Sequence, residues 1–191
     1  MAGLEDLLAR LTCGVDDEAE RAVAELSAFR PAPLAQLARL IEDPDSDHRW
    51  WAARAMAAIP GVETSAALIR ALQDEDAEVR QCAAVGLRGR ASAEAIPALA
   101  MALGDEDRLV ARLAGDSLAS MGEAAVNALA QAARSELPAV RIEAVRALAQ
   151  ARVPQAIPAL FHALDDPSTV VGYWADQGLE TLGVGMTFFK P

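Results

Sequence analysis

The sequence predicts an all-α protein, a right-handed α-solenoid of about six helical hairpins that repeat every 30–31 residues. Hydrophobic residues make up 53% of the chain and aromatic residues only 4%, a balance that favours closely packed helices over a sheet. Four columns of small or apolar residues also keep one register through all six repeats. Because one hairpin cannot bury two apolar helix faces alone, the hairpins are expected to stack around a continuous core.

The first helix of each repeat contains two apolar columns that lie four residues apart. The first column is leucine throughout: Leu7, Leu37, Leu68, Leu99, Leu129 and Leu160. The second column contains Leu11, Ile41, Leu72, Leu103, Ala133 and Leu164. Pro97 and Pro158 fall at predicted first turns, where a missing backbone N–H does no harm.

The second helix of each repeat contains an unvarying alanine column: Ala22, Ala52, Ala83, Ala114, Ala144 and Ala175. Four residues later come Leu26, Met56, Leu87, Leu118, Leu148 and Leu179. Residues four apart share one face of a helix, so both columns are expected to point into the core. The alanines are expected to mark the closest approach of neighbouring helices.

Acidic turns separate the two helices in five repeats: Asp16-Asp17, Asp43-Pro44-Asp45, Asp74-Glu75-Asp76, Asp105-Glu106-Asp107 and Asp165-Asp166-Pro167. Carboxylates there can cap the following helix and interact with the positive end of its dipole. Arg49, Arg80 and Arg141 occupy one column shortly after these turns, and each is expected to reach back to a turn carboxylate. We interpret these charges as scaffold rather than as a ligand site.

The columns divide the chain into repeats of about 3–30, 31–61, 62–91, 92–122, 123–152 and 153–182, followed by a tail at 183–191. No linker or low-complexity segment interrupts them, so a single domain over residues 1–191 is expected. The tail breaks the pattern and contains two of the four phenylalanines. It either covers the end of the last hairpin or docks into a partner, and we expect the covering role because solenoid ends need caps.

A shared motif runs through the repeats: LxxAL or LxxxL, then D-x-D-x-x-V-R, then x-x-A-A-x-x-L. It is seen in LIRALQDEDAEVRQCAAVGL, LARLIEDPDSDHRWWAARAM and LAQAARSELPAVRIEAVRAL. The chain from about Gly3 to Leu182 therefore resembles HEAT repeats, specifically the short HEAT-like repeat of the phycobilin lyase family, since ordinary HEAT repeats have roughly 40–47 residues. The resemblance implies an armadillo-like helical fold. Its members include bilin lyase subunits, proteins of phycobilisome turnover and bacterial scaffold proteins, and it transfers no catalytic motif.

Charge and composition exclude several classes of function. A formal net charge of −11 opposes nucleic-acid binding, which depends on Lys and Arg displacing phosphate counterions. No segment has the pattern of a secretory signal or the roughly 18 apolar residues of a membrane span. Two cysteines, Cys13 and Cys82, make no disulfide framework and lie too far apart to be bridged, so we expect a reducing, cytoplasmic setting.

The sequence contains no constellation that points to catalysis. His48 falls in a core column otherwise held by valine, and we expect a partly buried, hydrogen-bonded histidine rather than a ligand. His162 has no Cys or His at metal-binding spacing, and Cys82 would need a lowered pKa to react as a thiolate. We expect no enzyme activity, no cofactor and no metal, since neither a phosphate loop nor a Ser-His-Asp order is present.

Function is expected on the face of the second helices that points away from the core. At 100° per residue, one column on this face contains Glu20, Trp50, Gln81, Arg112, Ile142 and Tyr173. One turn later come Ala24, Arg54, Val85, Asp116, Arg146 and Gln177. The flanking column contains Arg21, Trp51, Cys82, Leu113, Glu143 and Trp174. The first two columns are expected to line a concave groove.

All three tryptophans and the one tyrosine of the chain fall in two of these columns, at the second and sixth repeats. Trp and Tyr anchor partners when they are left exposed, which is the role considered for Trp50 and Tyr173. Trp51 and Trp174 either join them or fill the seam between repeats. Four repeat steps of about 8–10 Å separate the two pairs by roughly 35–40 Å, which a protein surface spans and a small molecule does not.

These observations predict a non-catalytic protein–protein interaction scaffold that binds a protein partner in its concave groove. The expected contacts are Trp50, Trp51, Arg54, Gln81, Arg112, Arg146, Tyr173 and Trp174. The alternative, which rests on the family resemblance, is a subunit of a phycobilin lyase or a bilin chaperone. A DNA-binding function would need a basic concave face, which the net charge opposes.

Overall fold

The computed structural model describes residues 3–90 and 92–184, and within these ranges the regular structure is entirely helical. The chain divides into two compact units, the first ending at Ala95 and the second beginning at Ile96. Each predicted repeat contains one pair of helices, which confirms the all-α class and the helical-hairpin architecture. The single domain and the repeat boundaries stay predictions. The proposed role of the tail falls largely on residues 185–191, outside the described ranges.

Three hairpins form the first unit. Their helices are α1 (Leu4–Leu11), α2 (Asp16–Ala28), α3 (Leu34–Leu40), α4 (Ser46–Ala58), α5 (Ser65–Ala71) and α6 (Ala77–Gly86). Each first helix packs against the second helix of its own hairpin, and α4 packs against both α2 and α6. The second helices of this unit therefore form a continuous layer.

The second unit has the same construction. Its helices are α7 (Ala95–Ala102, with its first residue in the preceding unit), α8 (Arg108–Ser120), α9 (Val126–Ala132), α10 (Pro138–Ala151), α11 (Ile157–Ala163) and α12 (Thr169–Thr181). Short 3₁₀ helices, Gly122–Ala125 and Pro154–Ala156, lead into α9 and α11. Helix α10 packs against both α8 and α12, so the layer of second helices recurs. No described helix has the length and apolar character that crossing a membrane requires.

The predicted core columns are buried within each unit. All six alanines of the second helices have 0% exposed surface, and the leucine column of the first helices is buried throughout. The second column of the first helices departs from the pattern in two repeats. Ala133 is half-buried, and Leu164, in the last described hairpin, is 36% exposed.

Aspartates in the acidic turns cap three of the second helices, as the sequence predicts. The Asp45 carboxylate accepts a hydrogen bond from the backbone N–H of Asp47 at 2.9 Å at the start of α4. Asp76 and Asp107 take the same position before α6 and α8. Each cap satisfies backbone donors that have no partner inside the helix. Helices α2, α10 and α12 begin without a side-chain cap.

The arginine column binds turns, but its carboxylate partner differs from the predicted one. Nε and Nη2 of Arg49 each donate to Asp74 at 2.8 Å, and Asp74 belongs to the turn of the following repeat. The carbonyls of the preceding turn, Asp43 and Pro44, accept from Nη1 of the same arginine at 3.0 and 3.1 Å. The prediction of a pairing with the preceding turn's carboxylate is therefore wrong for Arg49, because the planar guanidinium extends between two successive turns.

The second unit repeats this arrangement. Arg141 donates to Asp166 at 2.7 and 3.1 Å and to the carbonyls of Ser135 and Glu136. The hydrogen bond from Arg141 lowers the pKa of Asp166, and the backbone N–H of Ser168 adds to this effect. Each arginine thus connects successive repeats within its unit, which supports the scaffold interpretation of these charges.

Arg90 is a structural residue that the sequence analysis did not identify. Its Nη2 donates to the carbonyls of Met56, Ala57 and Ile59 at 3.1, 2.8 and 2.9 Å. These carbonyls lie at the C-terminal end of α4, where the last turn has no intrahelical donors. Nη1 and Nε add contacts to Thr64, at 2.8 Å, and to the carbonyls of Gly61 and Gly86. One guanidinium therefore closes the end of a helix in the preceding repeat.

Candidate partner-binding surface

In the first unit the predicted contact residues lie on neighbouring helices of the second-helix layer. Trp50, Trp51 and Arg54 lie on α4 and Gln81 lies on α6, and all four side chains are half-buried. The two indole rings meet edge to face, with centroids 4.7 Å apart and an interplanar angle of 90°. This is a preferred geometry for aromatic pairs, so each ring fixes the orientation of the other.

A cleft of about 680 Å³ lies beside this tryptophan pair, at the N-terminal ends of α2, α4 and α6. We call it the tryptophan cleft. Besides Trp50, Trp51 and His48, six carboxylate side chains line it: Asp16, Asp17, Glu20, Asp45, Asp47 and Glu78. No lysine or arginine is among its lining residues. The cleft therefore combines aromatic rings with a concentration of negative charge.

Arg54 and Glu20 form an ion pair at 2.5 Å between α4 and α2. The Arg54 side chain keeps 36% of its surface exposed, so the guanidinium is available at the surface while it neutralises Glu20. Such a half-exposed pair contributes little to stability. The predicted contact role of Arg54 is compatible with this position and stays a prediction, as does that of the neighbouring Gln81.

Two residues considered for chemistry have scaffold environments. Burial raises the pKa of the Cys82 thiol to about 12, so the unreactive thiol form predominates at neutral pH. His48 is partly buried, and its Nδ1 lies 3.2 Å from a carboxylate oxygen of Asp43. The prediction of a partly buried, hydrogen-bonded histidine is confirmed. In the described parts of the chain, no group of three or more His, Cys, Asp or Glu residues is arranged to hold a metal ion.

The second unit presents the other aromatic pair on α12. Tyr173 is 57% exposed and Trp174 is half-buried, with ring centroids 5.4 Å apart and an interplanar angle of 70°. Tyr173 therefore faces solvent, as the column pattern predicts. Each unit contributes one aromatic pair, and the predicted separation of the two pairs stays a prediction.

Arg146 is the exception among the predicted contacts. The prediction that it faces solvent is wrong, because the residue has 0% exposed surface. Its guanidinium donates to Asp116 at 2.6 Å, to Glu143 at 2.7 Å and to the side-chain oxygen of Gln150 at 2.7 Å. Nη2 also donates to the backbone carbonyl of Arg112 at 2.9 Å, and that residue is itself exposed on α8. Arg146 is a buried connection between α8 and α10, whereas Arg112 remains accessible to a partner.

The packing around Gly115 explains why Arg146 is buried. A Cβ atom at position 115 would lie only 2.9 Å from Nη2 of Arg146, so the glycine leaves room for the guanidinium. A helical wheel assigns the side of α10 opposite its own core face to solvent. In the structure that side is partly covered by α8, which packs alongside.

The carboxylates of the tryptophan cleft are functional candidates that the sequence pattern does not bring together, because Asp16, Asp17 and Asp45 fall in capping turns whereas Glu20 falls in the outward-facing column. The signal was present in the acidic residues at the starts of α2 and α4. Their convergence with Trp50 and Trp51 could not be read from the column alignment, because it depends on how three helix starts meet.

The stacked helical hairpins define a repeat protein of the α-solenoid class. The match to HEAT repeats extends over residues 4–88, 32–119, 65–138 and 96–180, which together cover most of the chain. The chain belongs to the HEAT repeat family. The finer assignment to the phycobilin lyase type stays a prediction.

Several solved structures share this fold at low sequence identity. The complex of CpcE and CpcF of phycocyanin lyase from Nostoc sp. PCC7120 has a TM-score of 0.58 and 21% identity, covering 96% of this chain and 78% of that one. A designed armadillo repeat protein in complex with the peptide (KR)4 has a TM-score of 0.53 and 19% identity, covering 95% and 100%. An engineered protein has a TM-score of 0.55 and 23% identity, covering 97% and 100%. These similarities establish the fold alone. No curated protein matches the chain significantly.

Proposed function

We propose that this protein is a non-catalytic scaffold that binds a protein partner on the surface of its second helices. The observation that carries the proposal is the Trp50–Trp51 pair, which lines a cleft instead of being buried in the core. Tryptophan is concentrated in the energetically dominant parts of protein interfaces, because it combines a large apolar area with a polar N–H. Tyr173 and Trp174 supply a second such pair.

The proposed contacts are Trp50, Trp51, Arg54 and Gln81 in the first unit, and Arg112, Tyr173 and Trp174 in the second. Arg146 supports them indirectly by connecting α10 to α8. Two of the similar structures contain polypeptides bound to or assembled with a protein of this fold: the (KR)4 peptide complex and the CpcE–CpcF complex. A cytoplasmic location fits the two free cysteines, Cys13 and Cys82.

Affinity capture with paired variants tests this function. The full chain and the double variant Trp50→Ala with Tyr173→Ala are used to capture proteins from an extract of the source cells, and each captured protein is then titrated in purified form. Circular dichroism checks that the variant keeps its helical signal. We expect at least one partner whose affinity falls by tenfold or more, since exposed aromatic anchors carry about 2 kcal/mol or more each.

The matched control is Met101→Ala with Phe161→Ala, which removes exposed apolar side chains from the first helices α7 and α11. It is expected to retain every partner. If the folded double variant binds the same proteins with the same affinity as the wild type, the proposed surface is wrong.

The alternative that follows from the family resemblance is a phycobilin lyase subunit or a bilin chaperone. The similarity to the CpcE–CpcF structure supports this alternative only at the level of the fold. Mixing the purified protein with phycocyanobilin, with and without an acceptor phycobiliprotein, tests it through the visible absorbance. A red-shifted or intensified band would favour the alternative, and an unchanged spectrum in both mixtures would rule it out.

A further inference from the structure

The tryptophan cleft contains more carboxylates than are needed to cap the helices that begin beside it. Asp45 caps α4 through the backbone N–H of Asp47, which accounts for that one side chain. The carboxylates of Asp16, Asp17 and Asp47 cap no helix start. Acidic residues in a first turn gain only a few tenths to 1 kcal/mol from the helix dipole. Capping therefore does not explain why these carboxylates surround one cleft.

Four of the carboxylates also have no cationic partner. Glu20 is paired with Arg54 and Asp45 lies near His48. Within residues 3–90 and 92–184, no ion pair involves the carboxylates of Asp16, Asp17, Asp47 or Glu78, and they come from three successive hairpins. Like charges placed together repel one another, so a bound cation would relieve the repulsion.

The indole rings add a second kind of affinity for cations. Trp50 and Trp51 line the same cleft and are half-buried, so part of each ring is accessible from it. A guanidinium or ammonium over an indole face is attracted by the ring quadrupole, and tryptophan is the best aromatic residue for this contact. Carboxylates next to an aromatic ring thus recognise both the charge and the flat, weakly hydrated surface of an arginine side chain.

We infer that the tryptophan cleft binds a lysine- and arginine-rich peptide segment in extended form. Charge complementarity identifies this occupant: the lining includes six carboxylates and no lysine or arginine, and the chain carries a net charge of −11, which attracts cationic partners over a distance. The acidic side chains come from three hairpins, so successive cationic side chains of one segment can each meet a carboxylate. A volume of about 680 Å³ suits a few such side chains rather than a folded domain.

Fluorescence anisotropy with labelled (KR)4, and with (ED)4 as the charge-reversed probe, tests the inference on the full chain. We expect (KR)4 alone to bind, and to bind at least tenfold more weakly when salt is raised from about 50 mM to about 500 mM, because screening weakens exposed charge pairs. The triple variant Asp16→Asn, Asp17→Asn, Asp47→Asn is expected to lose tenfold or more in affinity. Trp50→Leu, which removes the aromatic face but keeps apolar bulk, is expected to lose about threefold or more.

The matched control is Glu123→Gln, Glu136→Gln, Asp165→Asn, which changes the net charge by the same amount at exposed positions of the second unit. It is expected to bind (KR)4 within about twofold of the wild type, since those charges lie outside the cleft. Circular dichroism is recorded for every variant. If the first triple variant is unfolded, Asp47→Asn with Glu78→Gln replaces it.

Four outcomes would overturn the inference: no binding of (KR)4, equal losses in the two triple variants, binding of arginine amide as tight as that of the octapeptide, or a dimer of the protein that Trp50→Leu dissociates. Tight binding of arginine amide would mean that the cleft binds a small cation. A dimer that Trp50→Leu dissociates would mean that the cleft binds a second copy of the chain. The inference rests on the proposed function, yet the two fail separately. If a partner is found whose binding requires Trp50 and Tyr173 but (KR)4 does not bind, the proposed scaffold function is supported. Only the inference of a cationic peptide segment is then wrong.

Discussion

Arg146 shows how a single residue can combine charge with complete burial. It has no exposed surface, and its guanidinium meets two carboxylates, an amide oxygen and a backbone carbonyl. Burying a cation is costly unless each donor finds a partner, and here the acceptors are distributed between α8 and α10. The residue therefore holds two second helices together by buried polar contacts.

Removal of this guanidinium is expected to destabilise the protein by about 3 kcal/mol, because Asp116 and Glu143 would be left without their cation in a largely buried setting. Urea denaturation of Arg146→Ala against the wild type measures the change. The control is Arg112→Ala at an exposed position on α8, with an expected change within about 0.5 kcal/mol. A loss below 1 kcal/mol for Arg146→Ala would show that water replaces the guanidinium at little cost.

The sequence alone predicted His48 correctly and Arg146 wrongly, and the difference lies in the neighbouring helix. His48 takes a position where four of the other repeats have valine, so the repeat itself indicates partial burial. Arg146 lies on a face that a single helical wheel assigns to solvent. Its burial depends on Gly115 of the preceding repeat, which leaves space for the guanidinium. A column of the repeat alignment lists one position at a time, so it does not show that a small residue in one helix makes room for a large residue in the next.

At the scale of elements, Arg90 closes the C-terminal end of α4. Its contacts include three carbonyls from Met56 to Ile59, and it comes from a position beyond α6, one repeat later. Burial lowers the pKa of Arg90, with Glu63 opposing that effect, so the site carries a desolvation cost for its cation. Hydrogen bonds from Arg90 to the carbonyls of Met56, Ala57 and Ile59 offset that cost.

Arg90→Ala is expected to lower the free energy of unfolding by about 2 kcal/mol, since it removes hydrogen bonds to several backbone carbonyls in a partly buried setting. Arg90→Lys is expected to restore little of this, because an ammonium cannot reproduce the planar fork of donors. Urea denaturation measures both variants, with Arg88→Ala at an exposed neighbouring position as the control. Full recovery in Arg90→Lys would mean that positive charge at the helix end is sufficient.

The helices and their core faces could be predicted from the sequence, because each column repeats a local rule six times. The alanine column is fully buried, and three turn aspartates cap helices as expected. The tryptophan cleft could be predicted only in part. Trp50 and Trp51 stood out as departures from the repeat, whereas the acidic lining depends on where α2, α4 and α6 begin in space.

At the scale of the whole molecule, acidic charge serves two purposes. Some carboxylates are paired in the contacts that connect repeats, as Asp74 is with Arg49 and Asp166 is with Arg141. Burial raises the pKa of Asp74, but hydrogen bonds from Arg49 and from the backbone N–H of Asp76 outweigh it and leave the pKa below its ordinary value. Other carboxylates form no ion pair in the described parts of the chain and contribute to the net charge of −11, among them Asp16, Asp17, Asp47 and Glu78 of the tryptophan cleft. Acid should affect the two groups differently.

The Asp166 contact supplies the clearest test of this distinction. The hydrogen bond from Arg141 and the backbone N–H of Ser168 lower its pKa in the folded protein. The unfolded chain has the ordinary value of about 3.9, so the unfolded state binds the proton more readily. The stabilisation is therefore fully present above about pH 4 and is lost as the pH falls through the lower folded-state pKa. Asp166→Asn should be less stable than the wild type at neutral pH, and the difference should shrink below about pH 4.

Urea denaturation from about pH 7 to about pH 3 at constant ionic strength measures this difference. Asp165→Asn is the matched control, because it removes an exposed carboxylate from the adjacent position and changes the net charge equally. As acid neutralises the many unpaired carboxylates, both variants experience the same change in overall repulsion, so that effect cancels between them. If only Asp166→Asn lowers the free energy of unfolding in a pH-dependent way, the pH dependence comes from the contact between repeats. If Asp165→Asn lowers the free energy of unfolding equally, the pH dependence comes from the charge of the whole molecule, and the prediction is wrong.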